Sequence, residues 1–434
     1  MNWTKKTTPF RATTTMTSRP RPGYSASSSM PLMGRLAPLG CVLAFVLALS
    51  VLGVVAQTSA MTNHTYTYGQ TLTLELELPD AADGSQVESN LYVSINGDQT
   101  TGYEVPLNDG RGVYEHNLQS SPLPPFAEIT YWWEYPASDG DLVSTNRTTF
   151  RYEDNRYEWQ SIEEDPVRIH WISGEGPDMI SALDIARSSL SQITDVLQAP
   201  LPHEIDVYIY PSARDLATAM RLTSHPWVSG VAYPQLGVVL LAIPPTDEAV
   251  LAMQRDIPHE MTHEVLYTLL GSQGYISLPT WLSEGLATYF QLRPTPEYDR
   301  LLKEASGSGA LIPLTELCLP FPEDHSEALL AYAQSASLVS YLRQNHGWSR
   351  IRDLLDTYAD GMSCNAGTKE ALGMDLNQLE RAWRMWLEQA DEPPSTFEQA
   401  RINALLFLRD TAPWILLVSV LLLPTGLAII VKRR

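Results

Sequence analysis

His259-Glu260-Met261-Thr262-His263 and Pro279-Thr280-Trp281-Leu282-Ser283-Glu284-Gly285-Leu286-Ala287-Thr288-Tyr289-Phe290 are the two stretches on which the reading of this chain turns. The first lies in a run, about 247–270, whose pattern predicts a helix. Residues four apart share a helix face about one turn apart, so the imidazoles of His259 and His263 can grip a single Zn²⁺. Glu260 is rotated roughly 100° round the same helix. It can reach a water at the metal without ligating the metal itself. Pro258 marks a start or a kink of this helix, with Asp256 as candidate N-cap.

A catalytic zinc needs a third protein ligand and an open position. The second stretch predicts another helix, about 280–291, with Thr280 as its candidate cap. The turn-prone Gly271-Ser272-Gln273-Gly274 lets that helix fold back and aim Glu284 at the metal, and Gly285 leaves room for close helix approach. Further helical patterns cover about 327–343, 349–360 and 376–390.

His259-Glu260-x-x-His263 followed by Trp281-Leu282-x-Glu284-Gly285-x-Ala287 resembles the gluzincin zinc metallopeptidases, specifically the peptidase MA-like group. The resemblance covers about 245–345 and includes Tyr332-Ala333-Gln334-Ser335-Ala336 and Leu338-Val339-x-Tyr341-Leu342. The Phe150-Arg151-Tyr152-Glu153-Asp154-Asn155-Arg156 segment is also similar to one that joins a β domain to the enzyme in that group. The resemblance implies one Zn²⁺ on His259, His263 and Glu284, with Glu260 as general base and a thermolysin-like α+β domain. It implies hydrolysis of a peptide or protein substrate by a zinc-activated water, without an acyl-enzyme. Tyr332, from its place in the family-like helix, is the candidate donor to the oxyanion; Tyr289, Tyr341, His325 and His346 are rivals. One position departs from the pattern. Many gluzincins carry an acid four residues after the glutamate ligand, where it orients a zinc histidine. Here that position is Thr288, so another residue orients the histidine or zinc binds more weakly; Glu264 is an unplaced alternative.

Around this constellation the chain has 434 residues, 44% of them hydrophobic, enough for two or three folded domains. The net charge of -21 argues against a nucleic-acid partner. Residues 1–60 carry six basic side chains and no acid, and 412–434 carry three and no acid, so all 50 acidic residues fall between. Leu36 to Ala56 is a charge-free apolar run behind Arg35, which reads as a signal peptide or an uncleaved signal anchor. Ala412 to Val431 is long enough to span a bilayer once, and Lys432-Arg433-Arg434 would stay on its cytoplasmic side. The acidic middle then faces outward from the cell membrane. Its acidity could steer basic peptides, but solubility is the preferred reading.

Residues 61–155 alternate with period two, as in Leu72, Leu74, Leu76 and Leu78, and are punctuated by Asn96-Gly97, Asp109-Gly110 and Asp139-Gly140. This predicts an antiparallel β-sandwich-like domain, read as a spacer or docking domain in preference to a binding module. Residues 156–392 mix strands (167–172, 205–210, 237–243) with helices and form the expected metallopeptidase-like domain. Strand 237–243 suits either a substrate-binding edge or the sheet centre. Residues 393–411 read as a juxtamembrane linker. Cys318 and Cys364, the cysteines of the expected ectodomain, suggest a disulfide. Two other readings remain: a non-catalytic surface or assembly protein on a protease scaffold, and a zinc hydrolase of a non-peptide bond.

Overall fold

The computed structural model describes residues 60–79, 86–137, 140–172, 178–220 and 229–390. The apolar runs 36–56 and 412–431 and the linker 393–411 lie outside the described residues. Among those described, no helix is long and apolar enough to cross a membrane.

Eight antiparallel strands come first: β1 (Met61–Thr67), β2 (Thr71–Glu77), β3 (Gln86–Ile95), β4 (Thr101–Asn108), β5 (Arg111–Asn117), β6 (Glu128–Pro136), β7 (Leu142–Ser144) and β8 (Thr148–Arg151). Asn96-Gly97 and Asp109-Gly110 turn the chain with both residues at positive φ, the backbone of tight hairpin turns. β4 and β5 share a single residue pair, Asn108 with Arg111, so the sheet folds over there into two layers. Leu72, Leu74 and Leu76 point into the space between the layers, opposite Leu91, Val105, Leu107, Tyr131 and Trp133. Packing is close enough that a Cβ on Gly112 of β5 would meet Leu107 of β4 at 2.5 Å. The period-two pattern thus produces a sandwich-like core.

The chain then enters a mixed sheet of β9 (Trp159–Glu164), β10 (Val167–Ile172), β11 (Ile205–Tyr210), β12 (Gly230–Tyr233) and β13 (Val238–Ala242), in the order β12-β13-β11-β10-β9. β10, β11 and β13 are parallel; β9 and β12 run antiparallel at the two edges. Helices α1 (Met179–Leu197) and α2 (Ala213–Ala219) lie between strands. A helical half follows: α3 (Ala249–Ile276), α4 (Thr280–Tyr289), α5 (Glu297–Ser308), α6 (Leu314–Leu317), α7 (His325–Ala359), α8 (Cys364–Leu372) and α9 (Leu376–Ala390). α1 was not expected, although Leu183, Ala186, Leu190, Ile193 and Leu197 recur at helical spacing and are buried. α3 and α7 each contain a break, at Gly271 and Gly347, where φ is positive.

Every residue of β11 and of β13 is buried, because the sheet is covered on both faces. Val207, Ile209, Val239 and Leu241 pack into the helical core. Tyr208, Tyr210, Val238 and Leu240 pack into the core of the β domain. Strand 237–243 is therefore central, and the edge is β12. The segment after β8 fastens the two halves. Arg151 pairs with Asp206 of β11, Tyr208 donates to Glu153 at 2.6 Å, and Tyr210 donates to Asp154 at 3.1 Å. Asp154 is fully buried and is neutralised by Arg156 at 2.6 Å. The β domain is therefore one of the two covers of the second sheet, which the spacer reading did not anticipate.

A disulfide joins Cys318, at the end of α6, to Cys364, at the start of α8. Closing a loop with a sequence separation of 46 restricts the unfolded chain by about 4 kcal/mol in the chain-entropy model.

Burying a large apolar side chain contributes about 1.5–3 kcal/mol. The four side chains that face the β domain together rival the roughly 5–15 kcal/mol that separates folded from unfolded domains. Residues 156–392 expressed without the β domain are expected to lose a cooperative thermal transition and to bind a hydrophobic dye. A sharp transition at the parent temperature would show that the sheet does not need this cover.

Candidate metal centre

α3 carries His259, Glu260 and His263, and α4 carries Glu284. The two helices are joined by the short break at Gly271 and the turn that ends at Pro279. Among the described residues, His259, His263 and Glu284 form a group whose ligand atoms all lie within 4.8 Å of one another. Glu284 Oε2 is 3.3 Å from His259 Nε2 and 3.7 Å from His263 Nε2. α4 reaches this position because it packs tightly on α7: a Cβ on Gly285 would meet the Ser335 carbonyl oxygen at 2.7 Å.

The donor set fits a zinc ion on two counts. Two imidazole nitrogens and one carboxylate are a known catalytic zinc complement. Both histidines also point Nε2 towards Glu284 while Nδ1 meets a different group behind. Tyr275 Oη lies 3.2 Å and Ser283 Oγ 3.4 Å from His263 Nδ1, and Gln291 Nε2 lies 3.3 Å from His259 Nδ1. Thr288, which stands where many gluzincins carry an acid, is buried and its hydroxyl has no hydrogen-bond partner.

Electrostatics follow from burial. Burial works to raise Glu284, but the His263 and His259 imidazoles outweigh it and hold its carboxyl far below the usual carboxylate range. Burial works to lower His263, but the charge and hydrogen bond of Glu284 bring it up to about 9. Glu260 is buried and pushed upward, chiefly by desolvation, with the two histidines opposing. Glu264, 2% exposed and with one oxygen unpartnered, is raised by burial to about 8; it does not contact either imidazole in the hydrogen-bond network described above.

Pro258 does not start the helix, and the backbone keeps helical φ/ψ through it. α3 begins at Ala249 and runs through it, and Asp256, expected to be a cap, instead pairs with Arg255 at 2.6 Å. A proline within a helix has no N–H for the carbonyl four residues back. Here that carbonyl, of Gln254, accepts from the backbone N–H of Leu292 at 2.9 Å and of Arg293 at 3.3 Å. The chain leaving α4 is thereby stapled to the metal helix. Thr280, likewise, is the first helical residue and Pro279 occupies the cap.

A cleft of about 410 Å³ opens beside the ligands. Gly230 of β12, His259 and Glu260 of α3, Gln291 and Tyr298 beyond α4, and His325 and Tyr332 of α7 line it. A Cβ on Gly230 would lie 2.6 Å from Glu260 Oε1, so a side chain there would displace that carboxylate. The Tyr332 ring lies 6.0 Å from the His259 ring, and the Glu284 charge, burial and Glu260 keep its hydroxyl protonated. Of its rivals, His325 shares the cleft. Tyr289 packs on Phe290 and Trp348, and Tyr341 packs on His346 and Trp386. Gln291, Tyr275, Tyr298 and Gly230 carry no motif and were not singled out in the sequence.

Residues 185–389 match the family model of the Peptidase MA superfamily. An M1 zinc metallopeptidase from Deinococcus radiodurans is 16% identical, with 75% of this chain and 90% of that chain covered and a TM-score of 0.34. An aminopeptidase N family protein from Idiomarina loihiensis is 10% identical, with 76% and 73% covered and a TM-score of 0.35. No curated protein matches the chain.

Metal ligation requires a neutral imidazole. Glu284 raises the His263 pKa against the opposing effect of burial, so the metal-free imidazole favours its charged form and zinc binding would displace that proton. Titration calorimetry at pH 7 in two buffers of different ionisation heat is expected to show release of about one proton per zinc. A heat independent of the buffer would contradict this charge state.

Proposed function

We propose that the protein is a zinc-dependent metallopeptidase that hydrolyses peptide bonds, held at a membrane by its C-terminal apolar run with the peptidase domain on the extracytoplasmic side. The observation that carries the peptidase reading is the convergence of His259, His263 and Glu284 beside a buried Glu260 at the edge of a sheet.

His259, His263 and Glu284 would hold Zn²⁺, which when bound would supply Lewis acidity to a water and to the substrate carbonyl. Glu260 accepts the proton of the attacking water and passes it to the leaving amine, a role suited to a carboxylate whose pKa is raised by burial. Among the described strands β12 pairs only with β13, so its other edge can take an extended peptide as an added strand. Gly230 brings that edge against Glu260 and thereby sets the scissile carbonyl beside the base. Tyr332, protonated and facing the cleft, donates to the oxyanion as it forms.

Two observations support the location. Residues 412–431 are free of charge and end in Lys432-Arg433-Arg434, which favours a cytoplasmic C-terminus. The Cys318–Cys364 disulfide suits an oxidising compartment.

The Glu260→Gln variant is expected to keep zinc, measured by elemental mass spectrometry, and to lose peptide cleavage by at least about 100-fold. Tyr332→Phe should lower kcat with zinc retained. Equal cleavage by wild type and Glu260→Gln would refute the assigned chemistry, and zinc without any peptide product would favour the scaffold or non-peptide readings. For the anchor, the full chain should resist alkaline extraction from membranes, and a chain ending at residue 411 should be released if the N-terminal signal is cleaved. Release of both chains alike would remove the proposed anchor.

A further inference from the structure

We propose that Gln291 is a positioning residue of the metal centre: its side-chain amide holds the His259 imidazole from behind, in the role that a carboxylate four residues after the glutamate ligand would fill. The inference rests on the zinc reading above.

The geometry points to Gln291 by two independent routes. Its side chain meets His259 Nδ1 at 3.3 Å, and the hydroxyl of Thr288, at the position four residues after Glu284, has no hydrogen-bond partner. Its backbone is also fixed. Leu292 N–H binds the Gln254 carbonyl at 2.9 Å, which Pro258 leaves without a helical donor, and Gln291 N–H binds the Thr288 carbonyl at 3.3 Å. The mid-helix proline thus explains how a residue outside α4 is carried to the back of a histidine on α3.

The amide also suits a ring that must change its tautomer. With its NH₂ towards Nδ1, the Gln291 amide suits the His259 tautomer that has its lone pair on Nδ1. In that arrangement Gln291 Oε1 is buried with no donor. A zinc ligand needs the opposite tautomer, with the lone pair on Nε2 and the hydrogen on Nδ1. Turning the amide over places Oε1 on Nδ1–H, and the orphaned oxygen gains its donor. Amide oxygen and nitrogen are interchanged by this rotation alone, with no movement of the chain. A carboxylate could accept from Nδ1–H but could not donate to a bare Nδ1. The groups behind both imidazoles, Gln291 at His259 and Tyr275 with Ser283 at His263, are uncharged side chains.

The test is zinc affinity of the full chain, measured by competition with a chromophoric chelator, together with the thermal unfolding temperature of the metal-free protein. Removing such a support typically weakens metal binding by about 10–100-fold. Gln291→Leu should show that loss with the unfolding temperature retained, and Gln291→Glu, which restores an acceptor, should bind zinc at least as tightly as wild type. Unchanged affinity in Gln291→Leu overturns the proposal, since a residue that only lines the cleft would change KM and leave zinc alone. Equal weakening in Gln291→Leu and Gln291→Glu overturns it as well, because packing and not the acceptor would then be at work. Zinc bound by wild type but not lost in Gln291→Leu fails this inference alone; no zinc in wild type fails the metallopeptidase reading with it.

Discussion

A carboxylate taken out of water must meet positive charge or give up its own. Glu284 is the place where this rule shapes the molecule. Burial works to neutralise it, and only the imidazoles of His259 and His263 hold it ionised. Those imidazoles sit on another helix, so α3 must break at Gly271, reverse, and present α4 alongside. α4 can come close only because Gly285 lies against the Ser335 carbonyl of α7. A divalent ion would supply positive charge beside the same carboxylate, so the side chains that balance Glu284 are also a donor set that fits a metal.

The β domain belongs to the same construction at longer range. A sheet with apolar residues on both faces needs two covers; α1 and the helical half supply one, and α2 contributes Leu216 and Ala219 to the other. Tyr208, Tyr210, Val238 and Leu240 find the other in the sandwich core. The 150–156 segment then locks the two together through Arg151, Glu153 and Asp154. Function inherits the result: β12, the edge that meets Glu260 at Gly230, is hydrogen-bonded to β13, and β13 is clamped from both sides. The edge strand and Glu260 are thereby held in a fixed relation to one another.

Much of this was legible from local pattern. Leucines at alternate positions made the strand 71–77 readable, and Asn96-Gly97 and Asp109-Gly110 marked hairpin turns. The spacing of His259 and His263 was readable because a helix turn is a local property. Readings that depended on capping were less secure. Asp256 and Thr280 are good caps by residue type, yet Asp256 is inside α3 beside Arg255 and Thr280 follows a Pro279 cap. Helix ends are settled by what the flanking chain packs against. Strand 238–242 could not be assigned to edge or centre, since its uniform apolar character reports two covers without naming them. Gln291 was invisible for a related reason: its partner is 32 residues away, and the device that brings it there is a carbonyl left unused by a proline.

The sequence by itself determined which groups could do chemistry and which were one helical turn apart: two imidazoles with a carboxylate between them, a second carboxylate on a following helix, and a β-patterned stretch ahead of them. Such properties repeat over a few residues, and a few residues of sequence contain them. Long-range packing settles that Glu284 meets His259 and His263, that β12 is the strand beside Glu260, that Tyr332 shares the cleft while Tyr289 and Tyr341 pack elsewhere, and that Gln291 stands behind His259. Each of these depends on close approach between segments far apart in the chain. That approach is set by the size of single side chains, such as the missing Cβ of Gly230 and Gly285, and by which backbone groups remain unpaired after the helices have formed.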